Sequence, residues 1–199
     1  VAMVSVCERI KSEHDYPFIE LDNHAATRAI TNHLVGYGHS HFGVITGQIE
    51  SRIYQDRLAG IRSVLSEEGI PLDDNMIVGG EYSIEFGQQG IRQLLAQNNP
   101  LTAVICFNDD IAIGAIHELK KHGLRVPQDI SVVGFDNIKV SAFIDPPLTT
   151  IDQPTLEMGK KAVEVVMQQI KGIPMSRNRF ILPYSLLERD SSGPVRLQN

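Results

Sequence analysis

Four polar or aromatic side chains stand where strand-like runs give way to loops or to helix starts: Arg57, Tyr82, Asn108 and Asp136. A guanidinium is a fork of fixed-charge donors, suited to vicinal hydroxyls or to a carboxylate. Asn108 brings a donor and an acceptor, Asp136 brings acceptors, and Tyr82 brings a flat apolar face. Brought together, they would stack a ring and hold its hydroxyls, which is how a sugar or a nucleoside is bound. Each also has a plainer reading. Arg57 can neutralise Asp56 or Glu50, Tyr82 can cover a sheet, and Asn108 can cap the following helix.

Catalytic and metal-binding patterns fare worse. No Gly-x-Ser-x-Gly elbow, Walker loop or dinucleotide fingerprint occurs, and Gly36-Tyr37-Gly38 follows a helix rather than a strand. His117 and His122 are five residues apart, which on a helix turns them about 140° away from each other. His39-Ser40-His41 would share one face of a strand, yet no Cys or carboxylate partner accompanies them. With no nucleophile paired to a base, the expectation is a binding protein: no enzyme, no metal and no cofactor.

The elements that must position those four residues alternate along the chain. Phe18–Leu21 is a short extended run, and Asp22-Asn23 caps a helix to about Val35 with Ala26, Ala29, Ile30, His33 and Leu34 along one stripe. Phe42–Thr46 is an apolar strand, followed by a helix near Ile53–Glu68 with Leu58, Ile61, Val64 and Leu65 inward and Gly69 as its stop. A strand at Met76–Val78 precedes a helix near Ser83–Gln97, with Ile84, Ile91, Leu94 and Leu95 inward. Thr102–Phe107 is a strand, and the helix after it has Asp109-Asp110 at its positive end and Lys120, Lys121 and His122 at its negative end. Ile130–Phe135 is a further strand, 136–150 is irregular, Pro154 opens a helix to about Ile170, and Ile181–Glu188 is a last strand. Apolar strands alternating with helices predict an α/β fold whose mostly parallel sheets carry helices on both faces. Ligands of such sheets bind beyond the carboxyl ends of the strands, where the four residues stand.

The 199 residues are 42% hydrophobic and 21% charged, an ordinary globular balance. No run approaches the roughly 18 apolar residues of a membrane helix. A net charge of −6 and a pI near 5.6, with Lys and Arg scattered, argue against this segment gripping nucleic acid itself. Cys7 and Cys106 lie in apolar runs and read as packed free thiols.

Three stretches match one pattern in order: 108–115 (Asn-Asp-Asp-Ile-Ala-Ile-Gly-Ala), 123–137 (ending Val-Gly-Phe-Asp-Asn) and 146–151 (Pro-Pro-Leu-Thr-Thr-Ile). With Gly38-His39, Arg57-Leu58-Ala59-Gly60 and the ending Leu186–Arg189, the chain resembles the sensor domain of the lactose/galactose repressor (LacI/GalR) family. The resemblance implies a type I periplasmic-binding-protein-like fold, with two lobes joined by crossings near 20–21, 148–150 and 180–182. Residues 1–20 and 151–180 would form part of an N-terminal lobe, 21–150 and 181–190 the C-terminal lobe, and 191–199 a tail. The opening strands and an N-terminal helix-turn-helix would be missing, so the natural protein is expected to be longer. Motif by motif, the family's ligand contacts fall on Arg57, Tyr82, Asn108 and Asp136. Its homodimer interface falls on Ile113, Ile116, His117, Phe143 and Ile144. Ser51, Arg52 and Ile53 depart from the sugar- and purine-responsive patterns. Other stretches, such as Leu21-Asp22-Asn23, look nearest to the cytidine repressor branch. The implied partners are a nucleoside such as cytidine or a sugar, a second copy of the chain, and operator DNA through the missing segment, in the cytoplasm and with no membrane. A periplasmic sugar-binding transport protein of the same fold is the alternative.

Overall fold

The computed structural model describes residues 1–7, 16–49 and 51–196. Glu50, one of the carboxylates considered for Arg57, lies outside the described residues, as do 8–15 of the first lobe segment and 197–199 of the tail. The chain begins with β1 (Ser5–Val6), β2 (Phe18–Leu21) and α1 (Asn23–Gly36), then β3 (Phe42–Thr46), α2 (Arg52–Glu67), β4 (Ile77–Gly79) and α3 (Ile84–Ala96). It continues through β5 (Ala103–Cys106), α4 (Asp109–Lys121), β6 (Ser131–Asp136), β7 (Thr149–Asp152), α5 (Thr155–Ile170), β8 (Arg179–Leu182) and β9 (Ser185–Leu187). Among the described residues these strands form two sheets, of order β4-β3-β5-β6-β7-β9 and β1-β2-β8. Every pairing is parallel except β7 with β9.

The large sheet is apolar on both faces, and alternate residues of one strand go to opposite sides. Val44, Ile105 and Val133 pack with α1 and α2, whereas Ile45, Val104 and Val132 pack with α3 and α4. This is the expected doubly covered sheet, and its continuous apolar strands follow from it. The first cluster runs on into the small sheet, where Ile19, Leu21 and Phe180 meet Met158 and Val165 of α5.

Side-chain caps set the helix starts. Asp22 accepts from Ala25 N, Ser51 from Tyr54 N, Ser83 from Phe86 N and Asn108 from Ile111 N. Several details differ from the sequence expectation. The last strand is two: Pro183 cannot donate to a ladder, and the chain leaves the small sheet there to join the large one as β9. β7 runs to Asp152, so the second passage between sheets falls at Gln153-Pro154. Ile84 is 39% exposed rather than inward. Beyond β9 the chain stays packed: Ser191 accepts from Val132 N through its carbonyl and donates its hydroxyl to Val132 O, and His39 Nε2 lies 3.0 Å from Gly193 O.

Candidate functional site

The carboxyl ends of β3, β5 and β6 face the end of β2, and a cavity of about 280 Å3 lies there. Arg57, Tyr82, Asn108 and Asp136 all line it. Leu21 and Asn23 enter from the end of β2, Gln48 and Ser51 from the β3–α2 connection, Ile53 from the first turn of α2, Cys7 from the end of β1, and Gln153 from the passage between the sheets.

Arg57 sits on the buried face of α2 and is 4% exposed. Its Nε donates to Asn23 Oδ1 at 2.8 Å, its Nη1 donates to Phe107 O, and its guanidinium lies 3.4 Å over the Phe135 ring. Asp56, considered as its partner, pairs with Arg52 instead. Burial pulls the guanidinium below its usual pKa, and the Asp136 carboxylate works in the opposite direction. The side chain is therefore locked in place on one side while its remaining donors face the cavity lining.

Asp136 ends β6 with φ +113°, a conformation that costs a non-glycine residue about 1–3 kcal/mol. The next residue holds the turn: Asn137 Nδ2 donates to Asp152 Oδ1 at 2.7 Å, and Arg189 Nη2 donates to Asn137 Oδ1 at 2.7 Å. Burial pushes the Asp136 carboxyl up to about 7; Arg57 opposes the shift, and Asp109 and Asp110 reinforce it.

Asn108 is the N-cap of α4, so the plainer reading holds for its Oδ1, which accepts from Ile111 N at 2.9 Å. Its amide nitrogen is the group left for the cavity. Tyr82 is 40% exposed, and its ring lies against Gly47. A Cβ at Gly47 would stand 1.9 Å from Tyr82 Cζ, so glycine is what admits the ring.

Sequence reasoning missed three contributors. Asn23 read only as a cap, but it orients Arg57. Cys106 is the packed thiol expected, with burial raising its pKa, whereas Cys7 lines the cavity. Asp109 read as a helix-dipole charge, yet it is fully buried. It accepts from Thr150 Oγ1 at 2.6 Å and Ile138 N at 2.9 Å, bracing the segment after Asp136, and burial lifts its carboxyl to about 6.

The remaining candidates disperse. His39 points inward to Ser131 Oγ at 3.0 Å while His41 bonds Ser40 outside, so the two do not share a face. His117 bonds Gln88, and His122 bonds the Glu118 carbonyl. Among the described residues no group of three or more His, Cys, Asp or Glu is placed to hold a metal ion. No described helix is long and apolar enough to cross a membrane. Of the interface residues, Ile116 is 3% exposed, packed in the core between α4 and the sheet, and so unavailable to a partner. Phe143 is 78% exposed, His117 is exposed, and Ile113 and Ile144 are half-buried.

Two α/β units with a polar cavity at their strand ends define the class of fold that takes a small ligand between lobes. Residues 31–192 match the family described as periplasmic binding protein-like domain. The ribose operon repressor of Haemophilus influenzae is 39% identical over 171 residues, 86% of this chain and 50% of that protein. The HTH-type transcriptional repressor CytR of Escherichia coli is 37% identical over 180 residues, 90% of this chain and 53% of that protein. A crystal structure of a LacI family transcriptional regulator from Enterococcus faecium, with bound ribose, superposes with a TM-score of 0.87 at 26% identity, covering 97% of this chain and 71% of that one. The chain belongs to the periplasmic binding protein-like family, with relatives among the LacI-type repressors. It spans about half the length of those curated relatives.

Proposed function

We propose that this chain is the effector-binding part of a transcriptional repressor, taking a pentose or a nucleoside into the cavity between its two sheets. The observation that carries this reading is the convergence of Arg57, Asn108, Asp136 and Tyr82 on one cavity, with Arg57 already locked from behind by Asn23. A volume of about 280 Å3 suits a ligand of that size. The ring stacks on Tyr82, and its hydroxyls donate to Asp136 and accept from Arg57 and Asn108. Among the described residues no nucleophile is paired with a base beside these groups, which supports binding rather than catalysis. The ribose operon repressor and the ribose-bound regulator support a pentose, and CytR stands at similar identity, so cytidine belongs in the same test.

The repressor reading has the support of relatives that are themselves repressors, against a transport protein of the same fold. It places the chain in the cytoplasm, with operator contact made by a separate helix-turn-helix segment. A homodimer would use Phe143, Ile144, Ile113 and His117, without Ile116. In this scheme the small sheet and α5 belong to the N-terminal lobe and the large sheet to the C-terminal one.

Isothermal titration with ribose and with cytidine tests the ligand class. Heat is expected with at least one, and Arg57→Ala and Asp136→Ala should each weaken binding by about 1.5–3 kcal/mol, the loss of a charge-assisted hydrogen bond. No heat with either compound would remove the ligand assignment.

A further inference from the structure

A second cavity of about 300 Å3 lies beside the first. The two divide the same segments between them: Leu21 faces one and Glu20 the other, and Ser51 and Ile53 face one while Arg52 faces the other. Arg52 opens α2, and Arg177 and Arg179 lead into and open β8, so the second cavity also lies between the large-sheet unit and the small sheet. Among the described residues its walls carry three guanidinium groups against one carboxylate, in a chain of net charge −6. These arginines are far apart in sequence, and only the fold gathers them.

Their existing contacts leave capacity. Arg179 Nε donates to Glu20 at 2.6 Å and neutralises that carboxylate, which is 4% exposed. Arg52 touches Asp56 through Nε alone, at 3.4 Å. Arg177 rests on the Phe180 ring at 5.0 Å. A guanidinium has five N–H donors, so Arg52 and Arg177 keep most of theirs for an anion. The start of the 16-residue helix α2 adds its positive end at Arg52.

We propose that this cavity binds a phosphoryl anion, held by Arg52 from α2 and by Arg177 and Arg179 from the small sheet. A dianion there ties the two units together from outside the first cavity. The phosphoryl group can be free phosphate or part of a phosphorylated pentose that reaches across from the first cavity.

The test is titration of the chain, in phosphate-free buffer at low salt, with inorganic phosphate, ribose 5-phosphate and ribose. Arg52→Gln and Arg177→Gln alter exposed side chains, and circular dichroism checks their folding. Each is expected to weaken phosphate and ribose 5-phosphate binding by about tenfold or more. Ribose 5-phosphate binding tighter than phosphate, and weakened by Asp136→Asn, supports one ligand spanning both cavities. Equal binding of the two, indifferent to Asp136→Asn, supports a free anion. No heat with either phosphate compound, or binding that ignores both arginine substitutions, overturns the proposal. Ribose separates the two failures: heat with ribose alone removes the anion site and leaves the sugar reading standing.

Discussion

The Asp136 carboxyl is partly withdrawn from water, which sets a pH dependence with a definite sign. Burial raises its pKa to about 7 in the folded chain, from the ordinary aspartate value of 3.8. Between those values the native state keeps a proton that the unfolded chain has released, so this residue's contribution to stability falls as pH rises through the window. Above the folded pKa the penalty is complete. Asp136→Asn removes it, and urea unfolding should show the variant more stable at pH 8, on the order of 2–4 kcal/mol, with the gain shrinking toward pH 4. Asp109 titrates in both proteins, so what enters the comparison is its repulsion with Asp136, which the variant also loses. Ligand binding should move the other way. A carboxylate accepting from two hydroxyls must be charged, so ribose affinity in the parent chain should rise between pH 6 and pH 8 and stay flat in Asp136→Asn. A parent chain whose stability and affinity both ignore pH over this range would show that Asp136 is not the buried acid described.

At the scale of elements, close helix packing rests on backbone contacts. A Cβ at Gly114 of α4 would stand 1.9 Å from the Ile84 carbonyl of α3, a backbone atom that cannot swing aside. Gly114→Ala should therefore destabilise the chain by at least about 1–3 kcal/mol. Gly159 of α5 has nothing within 4 Å of its Cβ position, so Gly159→Ala should stabilise by about 0.5–1 kcal/mol. Opposite shifts of the denaturation midpoint are the expected readout. The same contact explains why Ile84 was misread: it touches α4 by its carbonyl, and apolar periodicity reports only side chains. Elements whose signal is local were legible. The continuous apolar strands Phe42–Thr46 and Ala103–Cys106, the caps and the glycine stops all announce themselves within a few residues. The four cavity residues were legible because parallel strands present their carboxyl ends together. What was not legible depends on partners distant in sequence. Asn23 finds Arg57 34 residues on, and Ser192 meets Thr149 43 residues back. The resemblance placed Ile116 at a dimer interface, but its side chain packs in the core beside α3 and the sheet.

For the whole molecule, the two sheets are unequally protected, and the ligand should even them out. The large sheet is covered on both faces by α1 to α4. Among the described residues the small sheet has three strands, with α5 packed through Met158 and Val165. The opposite side of α5 shows Leu156, Val163 and Ile170, spaced seven residues apart, to solvent. β8 buries only Phe180 fully, whereas every residue of β5 is buried, so amides of β8 should exchange with deuterium well before those of β5 and β6. The first cavity takes Leu21, Cys7 and Gln153 from the small-sheet side and Arg57, Asn108 and Asp136 from the large-sheet side. Opening the small unit therefore destroys the cavity, and a ligand that fills it must oppose that opening. At 100 times its dissociation constant, ribose should slow exchange in β8 by about 100-fold, equivalent to about 2.7 kcal/mol. Exchange in β5 through openings that leave the cavity intact should hardly change. Equal protection of both sheets before ligand is added would mean that they open as one unit. Protection confined to the large sheet after addition would mean that the ligand does not bridge them.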